Sequence, residues 1–406
     1  MSRRFSFWTV AATLGLFLFA AAAPSPLYGM YAARWQFSAL TLTEVFAVYA
    51  VALLVALLLT GSLSDFAGRR PVILGAIAIE LASMLTFVAA SDVTWLFVAR
   101  ITQGVATGLV TSALAAALVD LQPSGRQQPL APLVNAATPI AGLAAGALVS
   151  ATVVQYLPDP LHLVYWLIVA GLVVLGAATF WMPEPAQKKP GFSLAPRIGV
   201  EAGLRTQFVA SLPSLIAGWA VGGFYLSLGP SLILQLGSST NRLLGGSMIT
   251  VLGGVGAVAI IALQTWAPRR TMIVGGAAMT TGLAIAMVAV STTSAGLFFV
   301  STAVTGVGFG IGWLGVLRSL VALAAPTARA ALLAAIFMIA YLSFAIPAVI
   351  AGYMVTRIGF HEAAFLYAAA MDVLAAAGLT GSLLVRPRPT AVLSRLRPSR
   401  ESPHDS

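Results

Sequence analysis

A few ionisable side chains lie inside long apolar runs of this sequence. Arg100 lies several residues into one run, and Glu44, Glu80 and Asp372 lie in or near others. A charge there is costly unless it has a partner or faces a water-filled cavity. Such groups can hold a polar ligand, neutralise an opposite charge, or take up a proton. We expect Arg100 to face a cavity; the alternative is a structural arginine between helices. Glu44 is a candidate proton site or mouth residue, and Glu80 and Asp372 are candidates for structural pairs or interface positions.

A short polar segment, residues 61–71, separates two apolar runs of roughly 19 to 20 residues, each long enough to cross a bilayer as a helix. In this segment Gly61 permits close helix approach, Gly68 permits a tight turn, and Arg69 and Arg70 favour the cytoplasmic side. The pattern predicts a hairpin of two membrane helices joined by a charged loop.

The composition excludes a soluble protein. Hydrophobic residues make up 59% of the 406 residues and charged residues only 8%, against about 25% charged in soluble domains. The net charge of +10 does not indicate nucleic-acid binding, because the arginines lie in loops and the tail. The absence of cysteine excludes disulfides and thiolate metal sites, and the three histidines form no cluster with acids. No Walker motif is present, so we expect no cofactor and no ATP-driven pumping.

The apolar runs predict twelve membrane helices, which we number in chain order. The approximate spans are 7–31, 41–62, 72–91, 94–119, 129–154, 162–182, 206–235, 243–265, 271–290, 295–321, 330–356 and 362–385. With both termini in the cytoplasm, the outer loops hold three basic residues and the inner segments eighteen, which is a strong positive-inside bias. The outer residues are Arg34, Arg242 and Arg357, and the inner ones are Arg3, Arg4, Arg69, Arg70, Arg126, Lys188, Lys189, Arg197, Arg205, Arg269, Arg270, Arg318, Arg329, Arg386, Arg388, Arg395, Arg397 and Arg400. We therefore expect a multi-pass protein of the cell membrane whose first helix is retained.

The two halves of the chain share short patterns. Segment 67–75 resembles 267–275, segment 103–108 resembles 305–310, and Pro24 and Pro139 have counterparts 206 and 208 residues later. Four matches in order at a nearly constant offset indicate a duplicated unit. The domains predicted are a first bundle at 1–183, a linker at 184–205, a second bundle at 206–385 and a disordered tail at 386–406.

The loop pattern Gly-x-Leu-x-Asp-x-x-Gly-Arg-Arg resembles the signature between helices 2 and 3 of the major facilitator superfamily. One departure is Phe66, where the family usually has a basic residue. The resemblance implies an all-α membrane protein with twelve transmembrane helices in two pseudo-symmetric six-helix bundles. It also implies a pocket near mid-membrane that opens alternately to either side. The matching positions are Gly61, Leu63, Asp65, Gly68, Arg69 and Arg70.

The same resemblance implies roles for individual residues. Asp65 would cap the N-terminus of helix 11 and Arg69 would bridge to Asp120, closing the inner side when the pocket opens outward. The alternative is that these are solvated loop charges that hold the topology. In this family helices 3, 6, 9 and 12 stand outside the cavity, which argues against Glu80 and Asp372 as substrate ligands.

Arg100, Gln103 and Gly104 match the family's helix 4 motif Arg-x-x-Gln-Gly. In the family that motif is linked to proton coupling and to the shape of the central cavity. Helix 1 contains no acid, although several proton-driven drug exporters of the family carry one there.

Helix 5 resembles the family's antiporter motif only in part. Thr138 replaces its first glycine and Leu143 its last, while the small residues favour close packing against the other half. Generic helix packing is an equal interpretation, so export rests on a weakened signal. The packing candidates are Pro139, Gly142 and Gly146.

Aromatic side chains with few polar groups are the expected cavity lining, which would suit an amphipathic or apolar small molecule. Aromatics of membrane helices also form lipid-facing belts, which is the alternative interpretation of each. The candidates are Tyr28, Tyr31, Gln103, Trp219, Tyr225 and Trp313.

The sequence therefore predicts a secondary transporter that works by alternating access, and no enzyme. The favoured activity is proton-coupled export of a small organic molecule by a monomer. One alternative is a proton symporter or facilitator that imports a sugar or metabolite. An alternative of another class is a non-transporting membrane sensor or lipid scramblase.

Overall fold

The computed structural model describes residues 1–123, 130–186, 198–325 and 327–384, and all regular secondary structure in these ranges is helical. Within them, twelve helices are long and apolar enough to cross a membrane. Helices 1 to 12 are Arg3–Trp35, Ala39–Thr60, Arg69–Val88, Val93–Asp120, Ala131–Tyr156, Pro160–Phe180, Ala202–Ser227, Leu243–Leu263, Pro268–Ser291, Ala295–Leu323, Arg329–Ile358 and Phe360–Leu384. The predicted all-α fold class is confirmed.

Local capping explains where several helices begin. The side chains of Ser38, Asp92 and Ser294 accept hydrogen bonds from backbone N–H groups at the starts of helices 2, 4 and 10. Such caps satisfy donors that have no partner within the helix. They fix these helix starts close to the residues that the sequence predicts.

Helices 1 and 7 are each broken within the single span that the sequence predicts. Helix 1 ends its first part at Ala22, passes through a 3₁₀ turn at Ser25–Leu27 and resumes at Tyr28. Helix 7 pauses at Leu228 and continues as Gly229–Leu236. Prolines at the breaks lack an N–H and cannot continue the helical ladder. The break in helix 1 leaves backbone carbonyls available to other groups.

The helix contacts repeat between the two halves. Helices 1 and 5, 2 and 4, 3 and 4, and 3 and 6 pack together, and each pairing recurs with both numbers raised by six. Between the halves, helix 5 packs on helix 8, and helix 11 packs on helix 2. The second contact repeats the first, because helix 11 corresponds to helix 5 and helix 2 corresponds to helix 8. This pattern agrees with a duplicated unit. The predicted linker lies partly, and the tail wholly, outside the described residues, so those domain boundaries remain predictions.

Glycine pairs set the distance between neighbouring helices within each half. A Cβ atom on Gly108 of helix 4 would lie 2.7 Å from the Cβ of Ala56 on helix 2. A Cβ on Gly310 of helix 10 would meet the backbone of Gly256 on helix 8 in the same way. Close approach of this kind is typical of small residues spaced four apart in membrane helices. It fixes helix 4, and hence Arg100, against helix 2.

Candidate transport cavity and buried polar network

A cavity of about 490 Å³ lies between the two halves. Its aromatic wall centres on Trp219, whose ring centroid is 5.0 Å from that of Tyr341 and 5.3 Å from that of Trp313. Phe344 of helix 11 lies 5.8 Å from the same ring, and Phe337 completes the wall. Edge-to-face aromatic contacts of this kind hold the rings in fixed orientations. The wall is therefore a rigid apolar surface.

The polar part of the lining is sparse. In the described part of the chain, Arg318 is the one charged residue that lines the cavity. Its Nη1 donates a hydrogen bond of 2.6 Å to the backbone oxygen of Gln264 at the end of helix 8. The cavity therefore offers one positive charge beside aromatic surface. Its remaining polar lining residues are Tyr49, Thr107, Thr111, Asn135, Ser214 and Tyr341.

Two of the predicted lining residues, Trp219 and Trp313, lie in this wall. The prediction is wrong for Tyr28, Tyr31, Gln103 and Tyr225, which are buried inside their own bundles. The Tyr31 hydroxyl bonds that of Tyr165 on helix 6 at 3.1 Å. The Tyr225 hydroxyl lies 3.1 Å from that of Thr302. Their hydroxyls are thus turned to partners in the same bundle and not to the cavity.

Arg100 lies at the centre of a buried polar network. Its Nε donates to the Tyr28 hydroxyl at 2.6 Å, and its Nη1 donates to the backbone oxygen of Ala21 at 3.0 Å. The Ala21 oxygen is available because helix 1 breaks just after it. Nη1 also donates to Oε1 of Gln103 at 2.6 Å. Arg100 is fully buried and faces the protein interior, not lipid.

Glu80 extends this network to helix 3. The Gln103 Nε2 donates to Oε1 of Glu80 at 3.0 Å, and Glu80 is fully buried. The sequence did not link Glu80 to the helix 4 motif, because the family resemblance places helix 3 outside the cavity. Arg100 also lies 5.2 Å from the ring centroid of Tyr49, which lines the cavity. The network therefore lies directly behind the cavity wall.

Gly104, predicted to belong with the coupling residues, has a packing role in the structure. A Cβ atom there would meet the backbone oxygen of Tyr49 and lie 2.8 Å from the Cβ of Ala52. The residue does not line the cavity. It allows helix 4 to approach helix 2 closely enough for Arg100 to reach the Tyr49 ring.

The charged loop forms a compact cluster at one end of the helices, which we call the motif end. Arg69 Nη1 lies 2.6 Å from Asp65 and donates to Ser64 Oγ at 2.7 Å. Arg69 Nε lies 3.1 Å from Oδ2 of Asp120, so the expected contact is present. Arg3 adds a hydrogen bond of 2.6 Å to the backbone oxygen of Asp120. Helix 1, the loop and helix 4 are thereby joined.

Asp65 does not cap helix 11 in this structure. Its carboxylate pairs with Arg69, and among the described residues no hydrogen bond joins it to the first turn at Arg329. The reason is the packing of the halves: helices 2 and 11 contact at the opposite end, which we call the far end. There Gly352 approaches Thr43, and the rings of Phe46 and Phe344 lie 4.9 Å apart.

Glu184, which is not among the residues predicted from the sequence, holds the first turn of helix 3. Its carboxylate accepts hydrogen bonds from the backbone nitrogens of Arg69 at 2.8 Å and Arg70 at 3.0 Å. An anion at a helix N-terminus is favoured by the helix dipole. Gly68 has φ +105°, and a Cβ there would lie 2.7 Å from Glu184 Oε2. No spacing rule could have paired Glu184 with a loop more than a hundred residues earlier.

Three further residues of the charged loop are Gly61, Leu63 and Arg70. Gly61 does not mediate close helix approach, because a Cβ there would meet only the oxygen of Leu57 in its own helix, at 3.3 Å. Leu63 packs against the core. The Arg70 guanidinium lies 5.1 Å from the ring centroid of Phe180.

The predicted packing of helix 5 against the other half is wrong for Gly142 and Gly146. A Cβ atom on them would meet the backbone oxygens of Gly15 and Phe19, both on helix 1 of the same half. The contact with helix 8 is made by the opposite face, where Gly246 approaches Ala147. Pro139 lies in the cavity wall.

The other acids of the apolar runs stay apart from the network. Glu44 is half-buried on helix 2 and makes no hydrogen bond or ion pair among the described residues. Its role as a proton site or mouth residue remains a prediction. Asp372 on helix 12 has a buried Oδ1 without a partner in the described part of the chain, so no structural pair is seen for it.

Twelve membrane helices in two repeated bundles, with a cavity between them, define the architecture of a secondary transporter. The sequence profile of the Major Facilitator Superfamily matches residues 5–269. The chain belongs to this family and is a multi-pass membrane protein.

Proteins similar to the chain include one that matches by sequence and two that match by fold. The chain is 31% identical over 196 residues to the multidrug resistance protein MdtL of Shewanella sp. (strain ANA-3). The match covers 47% of this chain and 48% of the relative, so it spans about half of that protein. The crystal structure of the nucleoside transporter NupG has a TM-score of 0.72 at 14% identity, covering 95% of this chain and 100% of NupG. The human organic anion transporter MFSD10 (TETRAN) has a TM-score of 0.68 at 15% identity, covering 93% of this chain and 100% of its own.

Proposed function

We propose that this protein exports a small amphipathic organic molecule across the cell membrane in exchange for protons. The observation that carries the proposal is the aromatic cavity between two halves that touch through helix pairs 5–8 and 2–11. Both termini and the motif end are assigned to the cytoplasm by the positive-inside distribution. The protein acts as a monomer, because each chain encloses its own cavity.

The arrangement of the halves corresponds to one state of an alternating-access cycle. The far end is closed by Gly246 against Ala147 and by Gly352 against Thr43. The cavity lining extends towards the motif end, to Pro132, Arg318 and Leu333. In the proposed orientation this state opens to the cytoplasm and would load a substrate for export.

The direction of transport is supported by the partial match to a multidrug resistance protein. The fold also matches a nucleoside transporter, and import of a nucleoside-sized metabolite with protons is the second candidate. The low polarity of the cavity favours export of an amphipathic molecule, because a sugar or nucleoside needs many hydrogen-bonding partners.

The test uses inverted membrane vesicles and three fluorescent aromatic dyes. These are neutral N-phenylnaphthylamine, anionic anilinonaphthalene sulfonate and cationic ethidium. We expect uptake of the neutral and anionic dyes that depends on an acidic vesicle interior, because Arg318 is the charged group in the described lining. Uptake driven only by the opposite pH gradient would favour import. Lipid movement without dye uptake would favour a scramblase.

Trp219→Ala is expected to raise the half-saturating concentration of N-phenylnaphthylamine about tenfold, equivalent to ~1.4 kcal/mol. The substitution removes the ring on which Trp313, Tyr341 and Phe344 converge. Initial uptake rates over a range of dye concentrations give the value. Trp166→Ala is the matched control, since Trp166 is 48% exposed on the surface of helix 6. Equal effects of the two substitutions would contradict a substrate-binding role for Trp219.

Asp65→Asn is expected to lower the turnover rate about tenfold and leave dye affinity within about twofold, with ~1.4 kcal/mol per tenfold change. The change removes the 2.6 Å ion pair with Arg69 and the charge proposed to hold helix 11 when the motif end closes. Stopped-flow uptake and equilibrium dye binding separate the two quantities. Asp159→Asn, at an exposed acid paired with His162, is the control. An unchanged turnover rate would remove the loop from the gating mechanism.

A further inference from the structure

The carboxyl group of Glu80 is satisfied on one side only. Its Oε1 accepts from Gln103 at 3.0 Å, while its buried Oε2 has no hydrogen-bond partner among the described residues. A buried carboxylate with open acceptor positions is costly, whereas a protonated carboxyl loses much of that penalty. Glu80 can therefore be either ionised or protonated, whereas a fully paired carboxylate would stay ionised.

Gln103 stands between Glu80 and Arg100. Its Oε1 accepts from Arg100 at 2.6 Å and its Nε2 donates to Glu80, so the amide connects the two charges in a fixed direction. Arg100 Nη2 is also buried without a partner in the described part of the chain. With Glu80 ionised the cluster is neutral. With Glu80 protonated it carries the uncompensated charge of Arg100.

The cluster is in contact with the cavity wall through three groups. Arg100 lies over the Tyr49 ring and bonds the Ala21 oxygen, and the Thr107 hydroxyl donates to the Gln103 backbone oxygen at 2.9 Å. Tyr49, Ala21 and Thr107 all line the cavity. A change of charge in the cluster therefore changes the electrostatic potential at the surface that a substrate touches.

Among the described residues, the elements packed around the cluster bring no second carboxyl group into contact with it, and Glu44 of helix 2 makes no hydrogen bond or ion pair with the cluster. Helix 1 presents Tyr28 and Tyr31, helix 2 presents Tyr49, and helix 6 presents Tyr165, all buried. Arg100 of helix 4 is the one charged partner. A proton that binds in this region consequently binds at Glu80.

We infer that Glu80 is the proton-binding carboxyl of this transporter and that Gln103 and Arg100 couple its charge to the substrate cavity. The inference rests on the proposed proton-coupled export. A proton enters from outside when the cavity opens there and forms an O–H bond on the Glu80 carboxylate; it leaves to cytoplasmic water when the cavity opens to the cytoplasm. If the protonated cluster binds substrate more weakly, bound substrate must by linkage release the proton. This reciprocity is what exchange requires.

The first test needs no substrate. Infrared difference spectra between acid and alkaline pH are recorded for the purified protein in lipid nanodiscs. We expect a carbonyl band of a protonated carboxyl in the wild type, its absence in Glu80→Gln and a shifted band in Glu80→Asp. Glu362→Gln, at an exposed acid in the first turn of helix 12, is the matched control and should keep the wild-type band. A band that persists in Glu80→Gln overturns the inference.

The second test separates this inference from the proposed function. Proteoliposomes are loaded with N-phenylnaphthylamine, and dye exchange without a pH gradient is compared with gradient-driven accumulation. At saturating dye concentration, Glu80→Gln is expected to exchange dye within about twofold of wild type but to lose at least about tenfold of the accumulation, with ~1.4 kcal/mol per tenfold change. If gradient-driven accumulation survives in Glu80→Gln, the inference about Glu80 is overturned and the proposed proton-coupled export stands. If the wild type shows none, proton coupling itself is wrong. If Glu80→Gln does not fold, Glu80→Asp must keep gradient-driven accumulation, and a folded Glu80→Asp protein without it also overturns the inference.

Discussion

Arg100→Ala is expected to lower the transport rate by at least about a hundredfold while the protein still inserts in the membrane. The substitution removes hydrogen bonds to Tyr28, Ala21 and Gln103 at once. Each buried polar group left without a partner costs about 1–3 kcal/mol. Uptake of N-phenylnaphthylamine into proteoliposomes measures the loss, and size-exclusion chromatography measures folding.

Two further variants make the Arg100 result specific. Arg357→Ala is the control, because Arg357 lies 5.2 Å from the Tyr353 ring in the last turn of helix 11, away from the network. Arg100→Lys should not restore activity, since an ammonium cannot match the planar set of donors. Transport by Arg100→Ala above half the wild-type rate would show that the network is only structural.

Gly246→Leu is expected to abolish transport by holding the far end open. A Cβ atom on Gly246 would meet the backbone oxygen of Ala147 and the Cβ of Ala151 on the other half. Because both contacts cross between halves, a larger side chain separates the halves and leaves each bundle intact. We expect the rate to fall by at least about a hundredfold, equivalent to ~2.8 kcal/mol.

The chain itself supplies the means of measuring this opening. It contains no cysteine, so a single Thr43→Cys substitution reports on the far-end contact without further changes. Thr43 is fully buried beneath Gly352, and a membrane-impermeant maleimide should react with Cys at this position at least about tenfold faster when Gly246→Leu is present. Gly254→Leu on the same helix is the matched control, since a Cβ there meets nothing within 4 Å. Unchanged labelling with Gly246→Leu would contradict the role of this contact.

Helix number, order and approximate ends were predictable because they depend on local sequence. Apolar length sets the spans, and side chains such as Ser38 and Asp92 cap the helices that follow them. The charged loop was also predictable, since the Arg69 and Asp120 contact follows from the resemblance to a known family.

Which side of each helix faces the cavity was not predictable from the sequence. These helices are apolar around most of their circumference, so a hydrophobic stripe does not show which side faces the cavity. For this reason Tyr28 and Tyr225 were misplaced in the lining, and Gly142 was assigned to the wrong neighbour. The connection of Glu80 with Arg100 was missed, because it runs through the side-chain amide of Gln103 on another helix.

The anchoring of Glu184 bears on how freely the halves can move. Glu184 is fixed to the start of helix 3, and Gly199 donates a backbone hydrogen bond of 3.2 Å to Ala331 in helix 11. The fifteen residues from one anchor to the other can reach ~50 Å when fully extended. This length sets an upper bound on how far the two contacts can move apart while both persist. In the proposed transport cycle, the contacts of helix 5 with helix 8 and of helix 2 with helix 11 stop the halves where the far end is closed.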